Sequence, residues 1–411
     1  MRLLFVVQRY GPEVAGGAEK LCREFAIRMG RRGHHIEVLS TCALDYSTWA
    51  NVFEPGISKD ESVTVHRLPV DQPRDPNFFT PLYMRVIFGR KPVPLYLQRE
   101  WLRIQGPYVS RLEPWLEEES RRFDLVVFFT YLYYTTTQGL SAVHDRPTVL
   151  HPTAHDEPPL HLQIFEQIFR MPSALAFSTP EEADLVSRRF RSRQLASVIG
   201  IGVELPSETD PATFRQQFDL GERDYLLFLG RVEPHKGSEE LVEFFNVYKD
   251  RHPGPLSLVI MGETVAPVKP SPDVVVTGFV EEDMKKSALE GCLALVNPSY
   301  FESFSMVVTE AWARKKPVLV QGSCAVLDGQ VRRAGGGIPY QGFAEFESAV
   351  ELVVKDKPLC RALGEAGHAY VRDHYSWERV LGDYEALLEV ASREGPLDHG
   401  SDGATRQTVG A

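Results

Sequence analysis

The chain has five cysteines, and none of them stands in a CxxC pair: Cys22, Cys42, Cys292, Cys324 and Cys360 are scattered and odd in number. A disulfide frame and a cysteine-held zinc are thereby excluded, and the five read as buried thiols of a cytosolic protein. No apolar run approaches the ~20 residues that a membrane-crossing helix needs. The opening run Met1 to Val7 is halted by Gln8-Arg9, too early for the apolar core of a signal peptide. The expected location is cytoplasmic, with attachment at the inner face of a membrane left open. Positive charge is in deficit, 45 Lys and Arg against 56 Asp and Glu for a net −11, which argues against nucleic acid as the main partner. The phosphate loop GxxxxGK[ST] is absent, and no DxD-like pair is well placed to hold a metal.

What remains is an ordinary globular composition, 43% hydrophobic and 25% charged. At 411 residues the chain is too long for one typical core and fits two domains. Leu3–Val7, His35–Ser40, Val63–Leu68, Asp124–Phe129, Thr148–His151, Leu175–Ser178 and Ser197–Ile199 read as strands. Helical or irregular segments separate them, as in a doubly wound α/β sheet. After the first strand, Gly16-Gly17 opens a helix with its stripe at Ala18, Leu21, Cys22, Phe25 and Met29. The two glycines make either a plain tight turn or a place where backbone approaches a ligand, and Glu19 suits the positive helix end. Residues 71–120 interleave prolines, aromatics and arginines. They form either helices covering one sheet face or a basic aromatic surface for an acceptor or anionic lipid. His151 to Pro159 clusters histidine and acids at a strand end, suited to chemistry, to a metal if more ligands join, or to plain backbone bonding. Thr179-Pro180 caps the next helix.

Past Gly200-Ile201-Gly202 and Pro206 to Pro211 the pattern restarts, with strands Tyr225–Leu229, Leu256–Met261 and Val274–Thr277. The helix between the first two carries its stripe at Leu241, Phe244, Phe245 and Tyr248, with Ser238 as the expected cap. The loop Gly230-Arg231-Val232-Glu233-Pro234-His235-Lys236-Gly237 puts two cations near a sheet's carboxyl edge, either solvated or set to neutralise a diphosphate. Leu293–Val296 is a strand, Asn297 to Ser303 a polar turn, and Phe304, Val307, Val308 and Ala311 one stripe of the helix that follows. Pro317–Val320 closes this βαβ unit. Glu302 and Glu310 frame the helix, whose first N–H groups around Ser303 to Met306 offer an anion site. Two carboxylates beside an anion site suit a ligand carrying both phosphates and hydroxyls, or they are simply solvated.

Pro298-Ser299, Glu302-x-Phe304 and Glu310-Ala311, preceded by Gly230-Arg231-x4-Lys236-Gly237, resemble the donor-site motifs of the family 4 retaining glycosyltransferases. The resemblance runs from Met1 to about residue 390. Two departures are visible: Ser305 and Lys315-Lys316 stand where the family often has glycine. The resemblance implies the GT-B fold, two doubly wound Rossmann-like domains facing each other across a cleft. Residues 1–200 would bind the acceptor and 201–375 the nucleotide-sugar. Residues 376–393 would form a helix crossing back to the first domain, and 394–411, rich in Gly, Ser, Asp and Thr, a disordered tail.

The implied activity is a retaining hexosyltransferase, moving sugar from a nucleotide diphosphate-sugar to a glycan, lipid-linked or small-molecule acceptor. No cofactor or metal is expected. Arg231 and Lys236 would stabilise the departing diphosphate, Glu302 would hold donor-sugar hydroxyls and Glu310 those of the ribose. His155, with His151 as second choice, would lie near the transferred sugar. Gly16 and Gly17 would face the donor phosphates, while Gly230, Phe304, Ser305 and Met306 would complete the donor site and Phe279 and Val280 would flank the base. A nucleotide-sugar epimerase would need its own acid and base set. A non-catalytic nucleotide-sugar-binding protein would be expected to have lost one of Arg231, Lys236, Glu302 or Glu310, and all four are present.

Overall fold

The computed structural model describes residues 1–192, 194–206, 209–233, 236–264 and 271–396. The chain divides into two compact units: Met1–Gly200 joined by the segment from Leu381 onward (unit 1), and Ile201–Val380 (unit 2). The expected tail falls largely outside the described residues, as do residues 207–208 of the expected domain crossing.

Unit 1 is built on β1 (Arg2–Val6), β2 (His35–Thr41), β3 (Gly56–Asp60), β4 (Val63–Leu68), β5 (Leu125–Phe129), β6 (Thr148–His151), β7 (Ala174–Phe177) and β8 (Leu195–Val198). Their order across the sheet is β3-β4-β2-β1-β5-β6-β7-β8, all parallel except the β3–β4 pair. β5, Leu-Val-Val-Phe-Phe, is buried at every residue, the continuous apolar run of a strand covered on both faces. Unit 2 carries β9 (Tyr225–Leu229), β10 (Ser257–Met261), β11 (Val274–Gly278), β12 (Ala294–Asn297), β13 (Val318–Gln321) and β14 (Gly337–Tyr340), in the order β11-β10-β9-β12-β13-β14. All its pairs are parallel. The doubly wound expectation therefore holds for each unit. In each sheet the strand order reverses beside the first strand, between β1 and β5 and between β9 and β12. Ligands of open α/β sheets bind beyond the carboxyl ends at such switch points.

Two strands escaped the sequence reading, both at sheet edges. β3 is polar and exposed, with Ile57 on the surface and Lys59 on the open edge, so it lacks the buried run that marks the others. β14 contains Pro339, which an edge strand tolerates and a central one does not. Two local expectations also need correction. The helix Ser238–Arg251 is capped by Gly237 in the left-handed region, and Ser238 is its first residue, its hydroxyl donating to the Glu233 carbonyl at 3.3 Å. In Met306–Ala313 the buried residues are Val308, Thr309, Ala311, Trp312 and Ala313. Phe304 is buried ahead of the helix, and Val307 is only half-buried.

Residues 71–120 form helices Pro76–Tyr83, Leu95–Gln105 and Leu112–Glu119 with a π-helical turn at Met84–Phe88. Val86, Ile87, Val93, Trp101 and Leu102 join the main core of unit 1, as covering helices should. Phe78, Met84, Phe88, Leu95 and Tyr96 stay exposed on the outside. The last helix, Trp377–Glu394, puts Tyr384 edge-on to Phe25 at 4.6 Å, and Glu385 on Arg32 at 2.7 Å and His34 at 3.0 Å. No helix among the described residues is long and apolar enough to cross a membrane.

Candidate functional site

In unit 2 the site grows from the carboxyl ends of two neighbouring strands. β9 runs into Gly230-Arg231, and β12 ends at Asn297, where the turn before helix Met306–Ala313 begins. Gly237 sits at φ 66°, and a Cβ there would run into the Pro298 carbonyl oxygen, so the two loops touch at a residue without a side chain. Across that contact the Lys236 ammonium donates to Glu302 Oε1 at 2.8 Å, with the two side chains 31% and 15% exposed. Arg231 lies 3.4 Å from Glu233. Pro234 and His235, between the two cations, lie outside the described residues.

The turn is held from within. Asn297 Oδ1 accepts from the Ser299 N–H at 3.1 Å, its amide nitrogen donates to Ser305 Oγ at 2.8 Å, and Ser299 Oγ donates to the Phe301 carbonyl at 3.0 Å. Ser305 takes φ 73° and caps the helix with no side-chain bond to its N–H groups. The helix is anchored by Trp312, fully buried with Nε1 donating to the Gly336 carbonyl at 2.9 Å. Truncating such a side chain costs about 3–5 kcal/mol, so the frame under the loop is rigid. Phe304 packs edge-on to Tyr375 at 5.1 Å and supports the loop from inside the fold. Met306 is the first helical residue. Glu310 accepts from Lys285 through both oxygens at 3.1 Å. Beyond the carboxyl end of β11, Phe279 is 75% exposed, a free aromatic face, and Val280 is half-buried beside it.

In unit 1, Gly17 opens helix Gly17–Arg31 and Gly16 caps it. A Cβ on Gly16 would overlap the Glu19 carboxylate. Glu19 stands in the first turn of that helix, as expected, and is buried there. Its Oε1 accepts from Gln8 Nε2 at 2.8 Å and from the equally buried Arg9 guanidinium at 2.5 and 2.9 Å. Arg9 also donates to the carbonyls of Ala15 and Leu44, both at 3.0 Å. A buried charge is tolerated when paired and fully bonded, and this pair clamps the loop after β1.

The two histidines after β6 differ sharply. His151 is 2% exposed, stacks on Phe129 at 4.8 Å, and is pushed down to about 3 by burial, so it is a neutral core residue. His155 is 29% exposed, with Nδ1 3.8 Å from Glu157, which in turn accepts from the Tyr131 hydroxyl at 2.7 Å. Its loop is tied down at Ala154, whose N–H donates to buried Glu182 at 2.6 Å; the other Glu182 oxygen accepts from the Ser178 N–H at 2.7 Å. Burial raises the Glu182 carboxyl to about 8, against the pull of those two donors. Thr130 and Thr153, just past β5 and β6, both hold positive φ, of 62° and 49°. Strained backbone of this kind gathers at functional sites.

Sequence reasoning missed Lys285, Arg9 and Glu182. Each is an ionisable residue with one partner well away in sequence: Glu19 for Arg9, Glu310 for Lys285 and Ala154 for Glu182. Only Arg9, a cation directly after a buried strand, left a local trace. Among the described residues no group of three or more His, Cys, Asp or Glu is placed to hold a metal.

Residues 210–370 match the family model described as Glycosyl transferases group 1. An uncharacterized glycosyltransferase of Methanocaldococcus jannaschii is 21% identical over 426 aligned positions, covering 96% of this chain and all of the relative. Sucrose-phosphate synthase of Thermosynechococcus elongatus superposes with a TM-score of 0.70 at 17% identity, over 95% of this chain and 99% of the other. Anabaena HepE, solved with UDP and glucose, gives 0.65 at 15% identity, over 95% and 100%. At these identities the likeness speaks for the fold, and the fold is GT-B.

Proposed function

We propose that the protein is a retaining glycosyltransferase that moves a hexose-type sugar from a nucleoside diphosphate donor to an acceptor hydroxyl. The observation that carries the reading is the meeting of two loops at the β9–β12 switch point. There Lys236 and Glu302 pair across the Gly237–Pro298 contact, with Arg231 on the same loop and Glu310 on the adjoining helix. Two cations and a helix start without a side-chain cap suit a diphosphate, and two carboxylates suit the hydroxyls at either end of it.

In the reaction the bond from the sugar's anomeric carbon to the β-phosphate oxygen breaks. The acceptor oxygen bonds to the same face of that carbon, and the acceptor proton passes to the leaving phosphate. Arg231 and Lys236 would take up the charge that develops on that oxygen, work that other transferases give to a metal. Lys236 must turn from Glu302 to the phosphate, which frees Glu302 for sugar hydroxyls. Glu310 would accept from the ribose, held in place by Lys285. His155, the more exposed histidine, would stand near the transferred sugar in unit 1, and Phe279 would offer its ring to the base. If the acceptor is lipid-linked, the basic, aromatic surface of residues 71–120 would rest on an anionic membrane.

Screening UDP-, GDP- and ADP-sugars for hydrolysis and for a raised melting temperature tests the reading. A donor that is turned over should leave product in the donor's own anomeric configuration. Arg231→Ala and Lys236→Ala should each lower turnover by about two to three orders of magnitude, the usual weight of a leaving-group contact. Wild-type turnover in both at saturating donor would sink the diphosphate assignment.

A further inference from the structure

Unit 1 contains a cavity of about 290 Å³ that the donor side leaves unused. It is bounded by Gln72, Arg74, Phe78, Glu100, Arg103 and Tyr108, over a floor of buried Trp49. The cavity belongs to the carboxyl edge of the sheet. Trp49 follows β2 and meets Tyr133 edge-on at 5.3 Å, and the Tyr134 N–H, beyond β5, donates to the Gly106 carbonyl at 2.9 Å. This is the edge that also carries the Gly16 and His155 loops.

Arg74 is the unusual member. Its guanidinium lies over Trp49 at 5.3 Å and Phe79 at 4.4 Å, and one arm donates to the Gln105 carbonyl. Its Nε is buried without an acceptor, and no carboxylate among the described residues pairs with it. Asp45, a carboxylate whose charge acts on it, is committed to the hydroxyls and N–H groups of Ser47 and Thr48. Buried donors are nearly always bonded, so Arg74 is the member of this lining whose bonding the protein leaves incomplete. At the rim Glu100 and Arg103 hold each other through two bonds of 2.8 and 3.0 Å, and Arg103 lies over Tyr108 at 5.5 Å.

Counting Asp75, which also lines the cavity and caps helix Pro76–Tyr83, the lining has two guanidiniums and two carboxylates. That balance gives no net pull on an ion. It places planar donors and acceptors side by side against the exposed ring of Phe78 and the half-exposed ring of Tyr108. Hydroxyls that accept from arginine and donate to carboxylate, on a ring whose C–H face can lie on an aromatic, match this lining. The volume sits near the lower end of small-ligand cavities, ~300–1,000 Å³, enough for one such ring.

We propose that this cavity is a subsite for a neutral sugar ring of the acceptor. The word acceptor rests on the transferase reading above, while the binding of a neutral sugar rests on the cavity alone.

The test titrates the full chain, without nucleotide, with methyl α-glucoside, methyl α-mannoside and methyl α-galactoside, and with glucose 6-phosphate as the anionic counterpart. At least one neutral glycoside should bind, with an affinity that does not change as salt is raised. Phe78→Ala, at a surface position where folding is not at stake, should weaken that binding roughly fivefold, the size of a lost ring contact. Arg74→Gln should remove it. The proposal is overturned if no neutral glycoside binds, if the phosphate binds better and only at low salt, or if Phe78→Ala binds as the wild type does. Glycoside binding lost in Arg74→Gln, with no donor hydrolysed by the wild type, would overturn the transferase reading and leave the subsite standing. Donor hydrolysis without glycoside binding would do the reverse.

Discussion

Removing a carboxylate from a binding site normally weakens the site, yet Glu302→Gln should tighten the binding of a free nucleoside diphosphate. Without ligand, Lys236 is already committed to Glu302 at 2.8 Å. The diphosphate must break that pair before it gains the ammonium. With side chains 31% and 15% exposed, the pair belongs at the upper end of the range for solvent-accessible ion pairs, about 1 kcal/mol. Neutralising Glu302 returns that amount to the ligand, about a fivefold fall in Kd. Lys236→Ala should act the other way, losing a charged hydrogen bond worth about 1.5–3 kcal/mol, or roughly 10- to 100-fold in Kd. In the double variant the gain from Glu302→Gln should vanish, because the amide has no lysine left to release. Transfer from the full donor should slow in Glu302→Gln, since an amide oxygen accepts more weakly from sugar hydroxyls than a carboxylate does. Calorimetric titration of the three variants with UDP, GDP and ADP measures the first three effects, and initial rates measure the fourth. A Glu302→Gln protein that binds the nucleotide more weakly than wild type would refute the reasoning.

Transfer should survive EDTA, since cations and a helix start are proposed to do the work of a metal; loss reversed by magnesium or manganese would count against that. Glu182, buried and raised to about 8, keeps its proton in the folded state where the unfolded chain has lost it, near pH 4.5. Its contribution is thus complete below the unfolded value and is lost as pH rises through about 8, at up to ~1.4 kcal/mol per pH unit, so Glu182→Gln should flatten the urea midpoint over that window. Lys315, at φ 56°, should gain about 0.5–1 kcal/mol on replacement by glycine, whereas Ser305→Gly should gain little because it forfeits the Asn297 bond. Denaturant melts of the two variants settle that contrast. If the acceptor is lipid-linked, the chain should sediment with anionic vesicles at low salt and be released by reversing the charges of Arg85, Arg90 and Lys91.

The sheets were legible because their strands are buried on both faces, and a continuous apolar run has few other uses in a chain of this composition. β5 and β9, buried at every residue, could be read directly. β3 and β14 could not, because an edge strand obeys a rule about its open side, which periodicity does not record. Of the two caps, Thr179 stands where its type put it, and Ser238 does not: it is a good cap by type, but Gly237 already supplies the left-handed turn that brings its loop onto Pro298.

The site divides along the same line. Arg231, Lys236 and Glu302 stand in loops, and Glu310 in the helix after one of them, whose places follow from the strands before them, so their gathering at one sheet edge could be foreseen. Contacts from other elements could not, since Lys285 reaches Glu310 from a different helix and, in unit 1, Glu182 reaches Ala154 from the helix after β7. The two departures from the family pattern make the distinction physical. Ser305 and Lys315 both occupy the left-handed region, where glycine is the unstrained choice, so the backbone there follows the fold even though the residue does not. At Ser305 the hydroxyl receives the Asn297 amide and binds the turn to the end of β12. At Lys315 the N–H only closes the helix end on the Trp312 carbonyl, as glycine's would. The strain at Ser305 is thus coupled to the geometry of the turn before helix Met306–Ala313, and the strain at Lys315 is not. A substitution that looks the same in sequence therefore acts on the site in one case and on stability alone in the other.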